Sequence, residues 1–143
     1  MKVCEAMTPD VQFTRPDATL QQAAERMATL DVGSLPVCHE DQLVGMITDR
    51  DIVVRSVADG HDPQTDHVAD IMTPEVVYCF ADQDLAETTQ IMQEKQIRRL
   101  PVLDRHKRLV GILSLGDVAL TAGNEQLAEQ ALERISEPPA ASV

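Results

Sequence analysis

The feature that most constrains this chain is that it says nearly the same thing twice. Met7-Thr8-Pro9 leads through Leu35-Pro36-Val37 to Leu43-Val44-Gly45-Met46-Ile47-Thr48-Asp49-Arg50-Asp51. Met72-Thr73-Pro74 leads in the same order through Leu100-Pro101-Val102 to Leu109-Val110-Gly111-Ile112-Leu113-Ser114-Leu115-Gly116-Asp117. The copies lie 65 residues apart from Met7/Met72 to Val37/Val102 and 66 apart at Gly45/Gly111, so the second copy carries one extra residue in a turn. Each copy reads as strand, helix, strand, strand, helix. Three strands and two helices bury one face well, so the expected architecture is α+β, with two pseudosymmetric halves packed back to back as one module.

Local patterns give the elements. After Pro16, Leu20, Ala23, Ala24, Met27 and Leu30 recur at helical spacing, with Asp17 and Thr19 available as caps. Residues 34–38 and 43–47 read as strands around a polar turn, and 48–59 as a helix stopped by Gly60. In the second copy, 76–79, 99–103 and 109–113 read as strands; 84–95 and 117–122 read as helices, the latter ended by Gly123. Residues 125–135 form one more amphipathic helix, with Leu127, Ala131 and Ile135 on one side. The expected boundaries are repeat one over 7–60, a linker over 61–71, repeat two over 72–123, a C-terminal helix over 124–135 and a disordered Pro/Ala-rich tail over 136–143.

Composition excludes several functions. The formal charge is -12 and there is no Trp, one Tyr and two Phe. Lys and Arg are too few to neutralise a phosphate backbone, and there are no aromatic platforms for base stacking, so a nucleic-acid polymer is not an expected partner. No apolar run approaches the roughly 20 residues that span a bilayer, and the N-terminus lacks a signal-peptide layout, so a cytoplasmic location without membrane contact is expected. Cys4, Cys38 and Cys79 are an odd, scattered set that reads as structural thiols. His39, His61, His67 and His106 fall in turns without ligand spacing, so no metal is assigned. The chain shows no phosphate-binding glycine loop, nucleophile elbow or clustered metal carboxylates, and no enzyme or catalytic cofactor is expected.

With the doubled Met-Thr-Pro segments, the Leu-Pro-Val strands and the Gly-apolar-apolar-Thr/Ser-x-x-Asp endings in place, residues 7–122 resemble a tandem pair of CBS domains, a Bateman module. The resemblance implies a stand-alone bacterial regulatory module that senses AMP, ADP, ATP or S-adenosylmethionine in the clefts between repeats. It also implies a homodimer and a protein effector that the sequence does not name. The alternative is a structural or protein-interaction module that binds no nucleotide.

Two readings apply to the duplicated ending. Thr48-x-x-Asp51 and Ser114-x-x-Asp117 have the form of capping boxes, which alone account for all four residues. The resemblance adds a ribose role for Asp51 and Asp117, whose carboxylates can accept from two sugar hydroxyls. It adds a phosphate role for Thr48 and Ser114, at the positive end of a helix. Charge separates the copies. Five of the twelve basic residues, Arg98, Arg99, Arg105, Lys107 and Arg108, fall together. Basic residues matching Arg98 and Arg99 contact ligand phosphates in a nucleotide-binding member of the family, whereas Arg105, Lys107 and Arg108 read as a solvated turn. Strand alternation sends Arg98 and Arg99 to opposite faces, so one of them is expected in a given cleft. In copy one, Arg50 supplies positive charge or pairs with Asp49 or Asp51. The adenine slot draws on Val11, Val32, Pro36 and Met46 in copy one and on Val76, Val77, Ile97, Pro101 and Ile112 in copy two.

Overall fold

The duplication folds as two units whose boundaries are not those of the repeats in sequence. The computed structural model describes residues 1–121 and 125–138. A first unit comprises Gln12–Val76, and a second comprises Met1–Val11 with Val77–Val143. The reason lies in the Met-Thr-Pro arms. Strand β1 (Thr8–Pro9) comes from copy one but pairs antiparallel with copy two, Thr8 opposite Ile112 and Pro9 opposite Gly111. Conversely, Thr73 of copy two bridges Met46 of copy one. A glycine receives each arm. A Cβ on Gly111 would lie 2.6 Å from Met7 Sδ and 2.8 Å from the Thr8 carbonyl, and one on Gly45 would lie 2.7 Å from Met72 Sδ and 2.9 Å from the Thr73 carbonyl. Only a bare backbone lets the arm come so close.

In the first unit, α1 (Leu20–Leu30) starts at Thr19, whose hydroxyl accepts from the Gln22 N–H at 3.1 Å while the Gln22 side chain accepts from the Thr19 N–H at 2.9 Å. Strands β2 (Ser34–His39) and β3 (Gln42–Thr48) form an antiparallel hairpin, with a register shift between Val37 and Cys38. Helix α2 makes one α-helical turn over Asp49–Asp51 and continues over Ile52–Val57 in π geometry. Helix α3 (Val68–Ile71) then turns the chain towards the second arm. Leu20, Met27, Leu35, Ile47, Val68 and Ile71 make an aliphatic core.

The second unit repeats this plan. Its sheet runs β1-β6-β5-β4, with β4 (Cys79–Phe80) parallel to β5 (Arg99–Leu103), and β5 antiparallel to β6 (Leu109–Ser114). The register shift recurs at the matching place, between Val102 and Leu103. Helix α4 (Leu85–Lys95) is capped by Asp84, and α5 (Leu115–Leu120) follows β6 directly. Helix α6 (Glu125–Ile135) packs on α4 and α5, burying Ala128 and Ala131 in a core with Met92, Leu100, Leu113 and Val118. The architecture is α+β.

Several elements differ from the sequence expectation. The helix expected over 48–59 is π-wound after its first turn: the Ala58 N–H donates to the Val53 carbonyl at 2.9 Å and the His61 N–H to Ser56 at 3.0 Å, each five residues back. The β-branched run Ile52-Val53-Val54 crowds a tight α-turn there. The expected linker over 61–71 contains α3, whose Val68 and Ile71 belong to the core. The strand expected over 76–79 shrinks to Cys79–Phe80, because the chain at 76–77 is passing from one unit to the other. The helix expected over 117–122 begins earlier, at Leu115. Its expected stop at Gly123 lies outside the described residues, as does the expected tail beyond Pro138.

Candidate functional site

Each unit presents the same junction, where the second strand of the hairpin runs into a helix. In the first, the Asp51 N–H donates to Thr48 Oγ1 and the Thr48 N–H donates to Asp51 Oδ2, both at 3.0 Å. In the second, the Asp117 N–H donates to Ser114 Oγ and the Ser114 N–H to Asp117 Oδ2, again both at 3.0 Å. A further bond ties each helix start to the segment before the hairpin: the Asp49 N–H donates to the Gly33 carbonyl at 2.9 Å, and the Leu115 N–H to the Arg98 carbonyl at 3.1 Å. The capping-box reading therefore describes all four residues. All four remain partly exposed, so the same atoms are within reach of a solute.

The junctions differ in what surrounds the box. Thr8, brought in by the β1 arm, donates its hydroxyl to Asp117 at 3.2 Å to Oδ1 and 3.4 Å to Oδ2. Its counterpart Thr73 makes no hydrogen bond to Asp51 among the described residues. Sequence reading used Thr8 only as a landmark. Its contact with an aspartate 109 positions away depends on the arm's crossing. Arg50 is exposed and forms no ion pair with Asp49 or Asp51 among the described residues; its N–H donates to Asp49 Oδ1 at 2.8 Å.

Arg98 and Arg99 are exposed, and neither has an ion-pair partner among the described residues. Both border one groove of about 600 Å³, together with Ser114 and Gly116. This corrects the expectation that alternation sends them to different places: β5 begins at Arg99, so Arg98 precedes the pleat. Glu125 and Glu129 of α6, residues the sequence reading did not single out, line the same groove. Arg105 lies exposed in its turn, as expected, but it is not unpartnered there. Its guanidinium lies 4.2 Å from the Phe80 ring centroid and donates twice to Asp82, at 2.7 and 2.8 Å. That hydrogen bonding holds the Asp82 carboxyl below its ordinary range and raises Arg105.

The proposed adenine-slot residues are redistributed by the arm crossing. Val11 belongs to the second unit with Val77, Ile97, Pro101 and Ile112, and Val76 belongs to the first with Val32, Pro36 and Met46. Pro36 and Pro101 are buried within strands, whereas the other seven are half-buried. The cysteines offer no reactive centre in the cores. Burial pushes the Cys79 thiol up to about 12, and burial, with the nearby Asp41 charge, pushes Cys38 up to about 11. Among the described residues no group of three or more His, Cys, Asp or Glu is placed to hold a metal ion, and no helix is long and apolar enough to cross a membrane.

The paired units, each a hairpin with flanking helices and a capped strand-to-helix junction, define a class. The family model for the CBS domain matches residues 3–57 and 68–122. The chain belongs to the CBS domain family and carries two such domains. CBS domain-containing protein YhcV of Bacillus subtilis (strain 168) is 41% identical over 134 residues, covering 94% of each chain. Among solved structures, Hypoxic Response Protein I with two coordinated zinc ions superposes with a TM-score of 0.75 at 37% identity, over 83% of this chain and 97% of that one. CBSX2 in complex with AMP gives 0.70 at 26%, over 92% and 96%.

Proposed function

We propose that this chain is a regulatory module that binds an adenosine-containing ligand, AMP, ADP, ATP or S-adenosylmethionine, at its strand-to-helix junctions and passes the resulting change to a protein effector. The observation that carries the reading is the groove of the second unit, where Arg98 and Arg99, without ion-pair partners among the described residues, stand beside Ser114. In this reading Asp117 and Asp51 accept from the ribose hydroxyls. Ser114 and Thr48 serve the phosphate with Arg98, Arg99 and, in the first unit, Arg50. Val11, Val77, Ile97 and Ile112, and in the first unit Val32, Met46 and Val76, supply apolar surface for the base. The AMP held by CBSX2 supports the ligand class. The module works in the cytoplasm as a homodimer, with no catalytic cofactor, reaction or nucleic-acid polymer assigned to it.

A second reading, a structural or protein-interaction module, is favoured by one observation. Val53, Val54 and Val57 are 58%, 46% and 55% exposed along the π turn, an apolar strip that invites a protein contact. Calorimetric titration of the chain with the four ligands, repeated on folded Asp51→Ala and Asp117→Ala, separates the two. The sensor reading expects at least one ligand to bind tighter than about millimolar, with a loss of roughly tenfold or more on removing the aspartate that holds its ribose. Absence of binding by all four leaves the interaction reading.

A further inference from the structure

The groove of the second unit carries both signs of charge. Arg98 and Arg99 line it, and so do Glu125 and Glu129 of α6. Among the described residues none of these four forms an ion pair within 4.0 Å. Helix α6 is held in place by its packing. Ala128 and Ala131 are 7% and 0% exposed in the core, and the Gln96 side-chain amide donates to the Arg134 and Glu137 carbonyls, both at 3.2 Å. The glutamates are thus presented to the groove by a packed helix, beside apolar surface from Ala119 and Leu132.

We infer that this groove takes a ligand end bearing one anionic and one cationic group, as the α-amino acid group does, and that Glu125 and Glu129 determine that specificity. The inference rests on the adenosine reading of the junction. Ser114 belongs both to the groove and to the box that holds Asp117, so a ligand with its ribose at Asp117 has its tail beside the groove. Among the proposed ligands, S-adenosylmethionine ends in a carboxylate and an ammonium, whereas ATP ends in a chain of like negative charges. Arg98 and Arg99 attract both tails. The glutamates attract the ammonium and repel the triphosphate, so the choice is made by repulsion as much as by attraction.

Competition between S-adenosylmethionine and ATP, measured on the full chain and on the Glu125→Gln/Glu129→Gln double variant, tests this. Glutamine keeps the length and helix propensity of each side chain while removing its charge. S-adenosylmethionine is expected to win on the unaltered chain, and the double variant is expected to move the ratio towards ATP by about tenfold, about threefold for each solvent-screened carboxylate. A ratio unchanged within about twofold, with both ligands still lost in Asp117→Ala, overturns the charge assignment and leaves the adenosine reading standing. If neither ligand binds the unaltered chain, the adenosine reading fails and this inference fails with it.

Discussion

The junction at Thr48–Asp51 and the junction at Ser114–Asp117 share one cap geometry and differ in the charged residues set around it. Their reciprocal cap bonds agree at 3.0 Å throughout. Around that shared frame Gly33 answers to Arg98, Ser34 to Arg99, Asp49 to Leu115 and Arg50 to Gly116. The first junction sets Arg50 between Asp49 and Asp51 in sequence, and the second sets Arg98 and Arg99 on a groove with Ser114, Glu125 and Glu129. Capping needs only a hydroxyl and an aspartate three residues on. Every other position is released to set charge, which is how one fold written twice can offer two different sites.

The largest effect that would break the comparison lies where the arms dock. Gly111→Ala and Gly45→Ala each push a methyl against a backbone carbonyl that cannot rotate away, at 2.8 and 2.9 Å, and are expected to cost about 1–3 kcal/mol in denaturant unfolding. Gly111→Ala should in addition disturb Asp117 through Thr8, whereas Gly45→Ala should leave Asp51 in place; equal ligand losses in the two would contradict that difference. Next come the caps. Thr48→Ala and Ser114→Ala should each lose about 1 kcal/mol and lose it equally, because the boxes match; a twofold disparity would show that they do not.

Thr8→Val should cost only about 0.5 kcal/mol, since its bonds to Asp117 are long and exposed. It should nonetheless alter ligand affinity at the second unit, while Thr73→Val leaves the first unchanged. The smallest effect concerns Arg105 and Asp82, whose counterparts Glu40 and Asp17 are both carboxylates and form no such pair. The Asp82 carboxyl lies below its ordinary value of 3.8, chiefly through its bond from Arg105. The contact therefore contributes fully above 3.8 and is lost as the pH falls through the lowered value. An NMR titration should find the Asp82 midpoint returned towards 3.8 in Arg105→Gln and left unchanged in Lys107→Gln.

The parts of this structure legible in the sequence were those set by neighbours. The helical spacing from Leu20 to Leu30, the Thr19 cap and the two hydroxyl-aspartate boxes are local patterns, and each forms as read. The arm crossing was not legible from Met-Thr-Pro itself, since two residues of strand carry little preference. The signal lay in Gly45 and Gly111, glycines inside apolar strands where another backbone comes close. The π winding of Ile52–Val57 leaves no periodicity of its own. Glu125 and Glu129 carried no signal in the sequence, because only the packing of α6 through Ala128 and Ala131 brings them to the groove that Arg98 and Arg99 line.

An amide-resolved NMR titration of the chain with AMP tests most directly whether one duplicated junction serves as two unequal ligand sites. The amides of Arg98, Arg99 and Ser114 to Asp117 should shift at lower AMP concentration than those of Gly33, Ser34 and Thr48 to Asp51. Shifts that begin at the first unit, or that advance together at both, would contradict it.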